Sequence, residues 1–276
     1  MIRAIDMHVH LPTGDKVRDE KARGWLKPAP EVAEYYARLN MMAVVFDVDN
    51  ETKSGIRCSN ADIAQWVREF PEVFIGFGTV DPWKGAAAVD EVHRCADLGL
   101  RGMKFHPATQ AFAPNDPQFF PIWEACVERH LAVVIHSGTT AIGAGTPGGR
   151  GITLQYCRPI PYIDEIAARY PELAIIMAHP AWPWHDEQLA VARHKTNCYI
   201  DLSGWAPRYF PPSVIQYANT LLQDRVFFGS DYPFISPERW LNEFAELPFK
   251  EEVRPKILLH NAARFLGLSL EEVAPA

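Results

Sequence analysis

The 276 residues are 48% hydrophobic, 12% aromatic and 22% charged, a composition that excludes a disordered chain and supports one large buried core. A formal charge of −7 without a local Lys/Arg cluster excludes a nucleic-acid backbone as the expected partner. No apolar stretch approaches the roughly 20 residues that span a bilayer, and the opening MIRAIDMHVH runs into a strand without a signal region, so a cytoplasmic protein is expected. Cys58, Cys95, Cys126, Cys157 and Cys198 are odd in number and never spaced C-x-x-C, which suits reduced packing residues better than disulfides or a thiolate zinc site.

Along the chain, eight short apolar runs occupy residues 2–10, 42–48, 73–79, 102–106, 132–136, 173–179, 198–202 and 226–231. Helical patterns separate them. One starts at Asn60, read as its cap, and ends before Pro71; another covers 116–129 and opens on Asp-Pro. Strands alternating with helices predict parallel pairing, and eight in series without a composition break predict a (β/α)8 TIM barrel, α/β in class. Such a barrel needs about 250 residues, so residues 1–276 are expected to form a single domain, with closing helices at about 237–268. An open doubly wound sheet is the competing architecture.

Most of these runs end in, or just before, a polar residue: His10, Asp47 with Asp49, His106, His136, His179 and Asp231. A barrel brings the C-terminal ends of its strands to one mouth, where its active site lies. His8 and His10 stand two apart on one strand, so both rings leave the same face, with Asp6 one step deeper. His136 ends the fifth run, and Asp231 ends the eighth, beside the first once the barrel closes. Three imidazoles and a carboxylate suit one divalent metal, zinc first and manganese second, with space left for water.

DMHVH, GMKFHP, HSG, MAHP and GSDYP, in this order over nearly the whole chain, resemble the amidohydrolase superfamily, in its amidohydrolase-related branch of hydrolases and of aromatic or enoic acid decarboxylases. The resemblance implies His8, His10, His136 and Asp231 as metal ligands and His179 as a catalytic or second-metal residue. It also raises a carboxylated Lys104 bridging two metals; Lys104 as a charge partner of Asp231 or of a substrate carboxylate is the competing reading.

A bound cation lowers the pKa of its water toward about 7, so hydrolysis is the main expectation. Asp231 would accept the water's proton, and His179 would polarise the electrophile or return a proton to the leaving group. His106 is a further candidate, set against a structural role. Gly143, Gly145 and Gly148 spell GxGxxG, but beyond the strand and interrupted by Pro147, so a loop over the mouth is expected and not a dinucleotide site.

That loop together with AHPAWPWHDEQ is similar to hydrolases of 4-hydroxyphenyl-β-ketoacyl thioesters, which implies C–C cleavage of an aromatic β-ketoacyl-CoA. Arg150, Arg158 and the basic stretch 16–23 are the candidates for an acyl carrier, and Trp25, Phe112, Trp182, Trp184 and Trp205 for an aromatic wall, two of the five being expected at the pocket. Decarboxylation of an aromatic or unsaturated acid is the rival reaction. A non-catalytic small-molecule-binding barrel is the rival of another class. The partner expected is thus a small molecule, an aromatic acid or acyl-CoA, and a homo-oligomer is open.

Overall fold

A computed structural model describes residues 2–17 and 26–269. Among the described residues there are nine strand segments: β1 Ala4–His10, β2 Met41–Phe46, β3 Phe74–Gly76, β4 Gly78–Thr79, β5 Gly102–Phe105, β6 Ala132–His136, β7 Ile175–Ala178, β8 Cys198–Asp201 and β9 Val226–Phe227. Every neighbouring pair is parallel, in the orders β1-β2-β3 and β4 through β9. The predicted third strand is therefore two pieces broken at Phe77, whose N–H still donates to Val45 O at 3.0 Å. A Cβ on Gly78 would stand 2.6 Å from Cys95 Sγ, so this glycine lets the helix Ala86–Asp97 lie against the strand.

The barrel closes between its last and first strands. Met7 N–H donates to Phe228 O at 3.0 Å, Asp231 N–H to His8 O at 3.0 Å and His10 N–H to Tyr232 O at 2.9 Å, and Val9 pairs parallel with Tyr232. The fold is the (β/α)8 barrel, and the open sheet is excluded. Ile5, Met7, Val44, Phe46, Ile75, Phe77, Val134, Ile176 and Phe227 form an interior cluster, with Leu259, Ala262, Ala263 and Leu266 of the C-terminal turns packed onto it. A larger apolar layer lies between strands and helices. No helix among the described residues is long and apolar enough to cross a membrane.

Two local expectations are corrected. Ser59, not Asn60, caps the helix Asn60–Glu69: its side chain accepts from Asp62 N, while the Asn60 amide bonds both N–H and O of Thr79. Asp6 does not extend the His8 and His10 row. The register of β1 against β2 slips between Asp6 and Val9, which breaks the alternation, and Asp6 instead accepts from Tyr36 Oη, Ser230 Oγ and Ser230 N–H. Burial pushes its carboxyl up to about 7. Asp6 thus ties the β1 and β9 seam to the outer helix Ala29–Arg38.

Candidate metal centre

β1 and the turn after β9 bring His8, His10 and Asp231 together, with ligand atoms of all three within 4.8 Å of one another. Asp231 Oδ1 lies 3.1 Å from His10 Nε2 and 3.5 Å from His8 Nε2. Neither contact has hydrogen-bond geometry, so this buried oxygen has no donor. An orphaned carboxylate oxygen facing two imidazole nitrogens fits a cation.

The ring tautomers agree. His8 Nδ1 lies 3.0 Å from Asp201 Oδ2, and donation to that carboxylate leaves Nε2 with a free lone pair, 3.1 Å from Lys104 Nζ and 3.5 Å from Asp231 Oδ1. His136 Nε2 lies 3.0 Å from Thr139 O, which can only accept, so the His136 proton stays on Nε2 and Nδ1 is bare. This Nδ1 faces His179 Nε2 at 3.0 Å, and the His8 and His179 rings are 4.8 Å apart between centroids. His136 therefore joins the cluster through His179, one step from His8, His10 and Asp231.

Burial, with the neighbouring cationic groups added, holds His8, His106 and His179 well below the ordinary histidine range and His136 down to about 3. Neutral imidazoles are the form that binds metal. Lys104, 1% exposed, places Nζ 3.1 Å from His8 Nε2 and 4.9 Å from the centre of the Phe46 ring. Burial lowers it to about 8, against the pull of Asp201 and Asp231.

Two site residues adopt left-handed backbone, His179 at φ 68° and Asp231 at φ 67°. Such strain costs about 1–3 kcal/mol per residue. Bonds to the His179 peptide offset it: its N–H donates to Asp201 Oδ1 at 3.3 Å and its carbonyl accepts from Gln188 Nε2 at 2.7 Å. A donor on a buried carboxylate is worth about 1.5–3 kcal/mol, enough to hold the turn.

The remaining candidates divide. His106 stacks on His136 with centroids 3.8 Å apart, and both its ring nitrogens have partners, Thr109 N–H and Thr140 Oγ1. Asp47 holds Lys16 and Thr13, and Asp49 holds Lys84, so these strand-end acids are engaged outside the histidine cluster. Arg158 is exposed and paired with Glu187, and Arg150 is exposed in a loop of short 3-10 turns that also carries Gly143, Gly145 and Gly148, so the GxGxxG spacing forms no strand-to-helix turn. Phe112 is corrected: it is 1% exposed among Phe105, Phe119 and Trp123, core and not wall. Trp182 is exposed and 6.2 Å from Trp205, and Trp184 is half-buried. Trp25, Arg18, Lys21 and Arg23 lie outside the described residues. A cavity of about 700 Å³ opens at the far end of the barrel, lined by Arg101, Ala132, Tyr199 and Leu266, away from this chemistry.

Sequence reasoning missed Asp201, Ser203 and Phe234. Asp201 ends a strand in CYIDLSG, and an acid closing an apolar run is the signal that could have found it. Phe234 is half-exposed, its ring 6.1 Å from that of His10.

Comparison with known proteins agrees with this architecture. The chain is 26% identical over 240 residues to 2-amino-3-carboxymuconate-6-semialdehyde decarboxylase of Dictyostelium discoideum, a match covering 76% of this chain and 65% of that protein's length. The 5-carboxyvanillate decarboxylase of Sphingomonas paucimobilis superposes with a TM-score of 0.70 at 21% identity, covering 98% of this chain and 100% of that one. That of Novosphingobium aromaticivorans, complexed with manganese and 4-hydroxy-3-methoxy-5-nitrobenzoic acid, superposes at 0.67 with 17% identity, covering 97% and 96%. At these identities the two structures establish the fold. The amidohydrolase family model (Amidohydro_2) matches residues 5–268, and with that extent of match the chain belongs to the amidohydrolase family.

Proposed function

We propose that this protein is a metal-dependent decarboxylase of an aromatic or unsaturated carboxylic acid. The observation that carries the reading is the orphaned Asp231 Oδ1 facing His8 and His10, with the buried amine of Lys104 against the same histidine. His8, His10, His136 and Asp231 would hold one divalent ion, zinc by the donor set or manganese as in the superposed relative. When bound, the ion supplies positive charge that holds an anionic substrate oxygen and steadies the electron pair left as carbon dioxide departs.

The chain's own groups do the rest. Lys104 pairs with the substrate carboxylate and orients it, since burial makes its charge strongly felt. Cleavage of the carbon–carboxylate bond leaves the pair on carbon, and His179 relays to it the solvent proton that replaces the carboxyl group. His106 holds the His136 ring flat from behind. Trp182 and Trp205 wall the mouth for a planar substrate.

Hydrolysis of an aromatic β-ketoacyl thioester is less well supported. An acyl carrier asks for several unengaged cations at the mouth; Lys16 and Arg158 are paired with Asp47 and Glu187, which leaves Arg150 among the described candidates. Incubating zinc- or manganese-loaded protein with a panel of aromatic and unsaturated acids and β-ketoacyl thioesters separates the two. Carbon dioxide release with solvent deuterium at the vacated carbon is expected. A pair of hydrolysis products without carbon dioxide would reverse the assignment, and no turnover of any member with metal bound would favour a binding role.

A further inference from the structure

We infer that the cavity at the far end of the barrel is a second ligand site, built for a planar aromatic monocarboxylate. It is independent of the metal centre and of the proposed reaction.

The site originates in missing side-chain volume. Gly102 pairs with Ala132 and Val133 with Ile175, so Gly102, Ala132 and Ala174 stand side by side where β5, β6 and β7 enter the barrel. Alternation turns Ala132 and Ala174 to the interior, since Val134 and Ile176, two positions on, belong to the interior cluster. Bulky branched residues ordinarily fill such a layer. At Gly102 the Phe77 ring takes up the room, for a Cβ there would stand 2.4 Å from it. The two alanines instead line the cavity of about 700 Å³, which is within the size of small-molecule sites. Val134 and Ile176 are fully buried above this floor, and His136 ends the same strand as Ala132, about 13 Å further along.

The walls select the ligand. Tyr199 and Phe265 meet edge to face at 4.9 Å, and Phe227 backs Tyr199 at 5.5 Å, so the two half-buried rings that line the cavity are held in place. An aromatic body gains most against such walls. Charged groups surround the entrance. Arg129 is paired with Asp97 and Asp224 with Lys256, which leaves Arg101 and Arg264 against Glu172, two guanidiniums to one carboxylate in a chain of charge −7. Arg101 Nη1 donates to Leu266 O at 2.7 Å and Arg264 Nη2 to Asn261 Oδ1 at 3.0 Å, so both forks are anchored on the C-terminal turns with further N–H groups to give. A surplus of one positive charge beside an aromatic slot suits a ring bearing one carboxylate, which a guanidinium can hold by two parallel bonds.

Calorimetric titration of the zinc-loaded full chain with 1-naphthoate, and with the neutral 1-naphthalenemethanol, tests this site. The acid should bind saturably and about tenfold tighter than the alcohol. Ala174→Leu, which fills the floor, should weaken both ligands at least tenfold. Arg101→Gln should weaken the acid about tenfold, the size of one lost charge-assisted hydrogen bond, and leave the alcohol unchanged. Trp182→Ala, at the opposite end of the barrel, should leave this binding in place. Absence of binding, or binding lost in Trp182→Ala and untouched by both far-end substitutions, overturns the proposal. Weakening by Arg101→Gln alone would mean a surface anion contact without a pocket, and weakening by Ala174→Leu alone a slot indifferent to charge; either overturns it. Should Ala174→Leu fail to fold, Ala132→Val, a smaller filling of the same floor, takes its place.

Discussion

His8 Nδ1 and Asp201 Oδ2 stand 3.0 Å apart, both fully buried and 193 residues apart in the chain. The carboxylate fixes the tautomer of the ring and raises its basicity, the usual work of an outer partner to a metal-binding histidine. Asp201→Asn is therefore expected to weaken metal binding by about 10- to 100-fold without losing the fold. Competition against a chromophoric chelator measures this. Unchanged affinity would remove either His8 from the ligand set or Asp201 from its support.

His136 and His106 stack face to face, yet different behaviour is expected of them. His136 has a bare Nδ1 on the cluster side, whereas both His106 nitrogens have partners. His136→Ala should lose most of its metal, since one of four ligands is gone, and His106→Ala should keep it. Elemental analysis of the two purified variants decides; the reverse pattern would exchange their roles.

Acid should destabilise the metal-free protein. His8, His106, His136 and His179 are held below the ordinary histidine pKa, chiefly by burial. Unfolded, each takes up a proton near pH 6.5; folded, it does not, so its contribution to stability is present above about 6.5 and lost as pH falls. Asp6, raised to about 7, has the opposite sign: its contribution is full below about 4 and lost as pH rises toward 7. Four histidines outweigh one carboxyl, and each net proton is worth about 1.4 kcal/mol per pH unit. Calorimetry of chelator-treated protein should show Tm falling ever more steeply from pH 6.5 downward, and a flat Tm over that range would contradict the burial of these rings.

The strand-end residues are legible in the sequence because each ends an apolar run, and a barrel sends all such ends to one mouth. His10, His136, His179 and Asp231 follow from that rule, and His8 from standing two residues before His10 on the same strand. Asp201 obeys it too, but its importance lies in a partner 193 residues away, which no local pattern reveals. The slip in β1 is a property of its pairing with β2, so Asp6 could not be told from His8 and His10 by alternation. Phe112 misleads for a different reason: it follows a strand end, and three aromatic neighbours draw it into the core.

His179 is assigned to the chemical step and not principally to metal retention. Its Nε2 stands 3.0 Å from His136 Nδ1, its Nδ1 is taken by Ser203, and its peptide is held in a strained left-handed turn by Asp201 and Gln188. The proposed site has four ligands without it in His8, His10, His136 and Asp231, and a fifth protein donor there would displace the substrate oxygen. His179→Asn should accordingly keep its metal and fold but lose roughly 10²-fold or more in turnover, the size of a lost proton-transfer group. Metal content and the rate of carbon dioxide release are read on the same preparation. A metal-free variant would make His179 a ligand, in keeping with its nearness to His8 and Asp201. A metal-loaded variant with nearly full turnover would make the ring structural and pass proton delivery to His106, the next buried imidazole along the mouth.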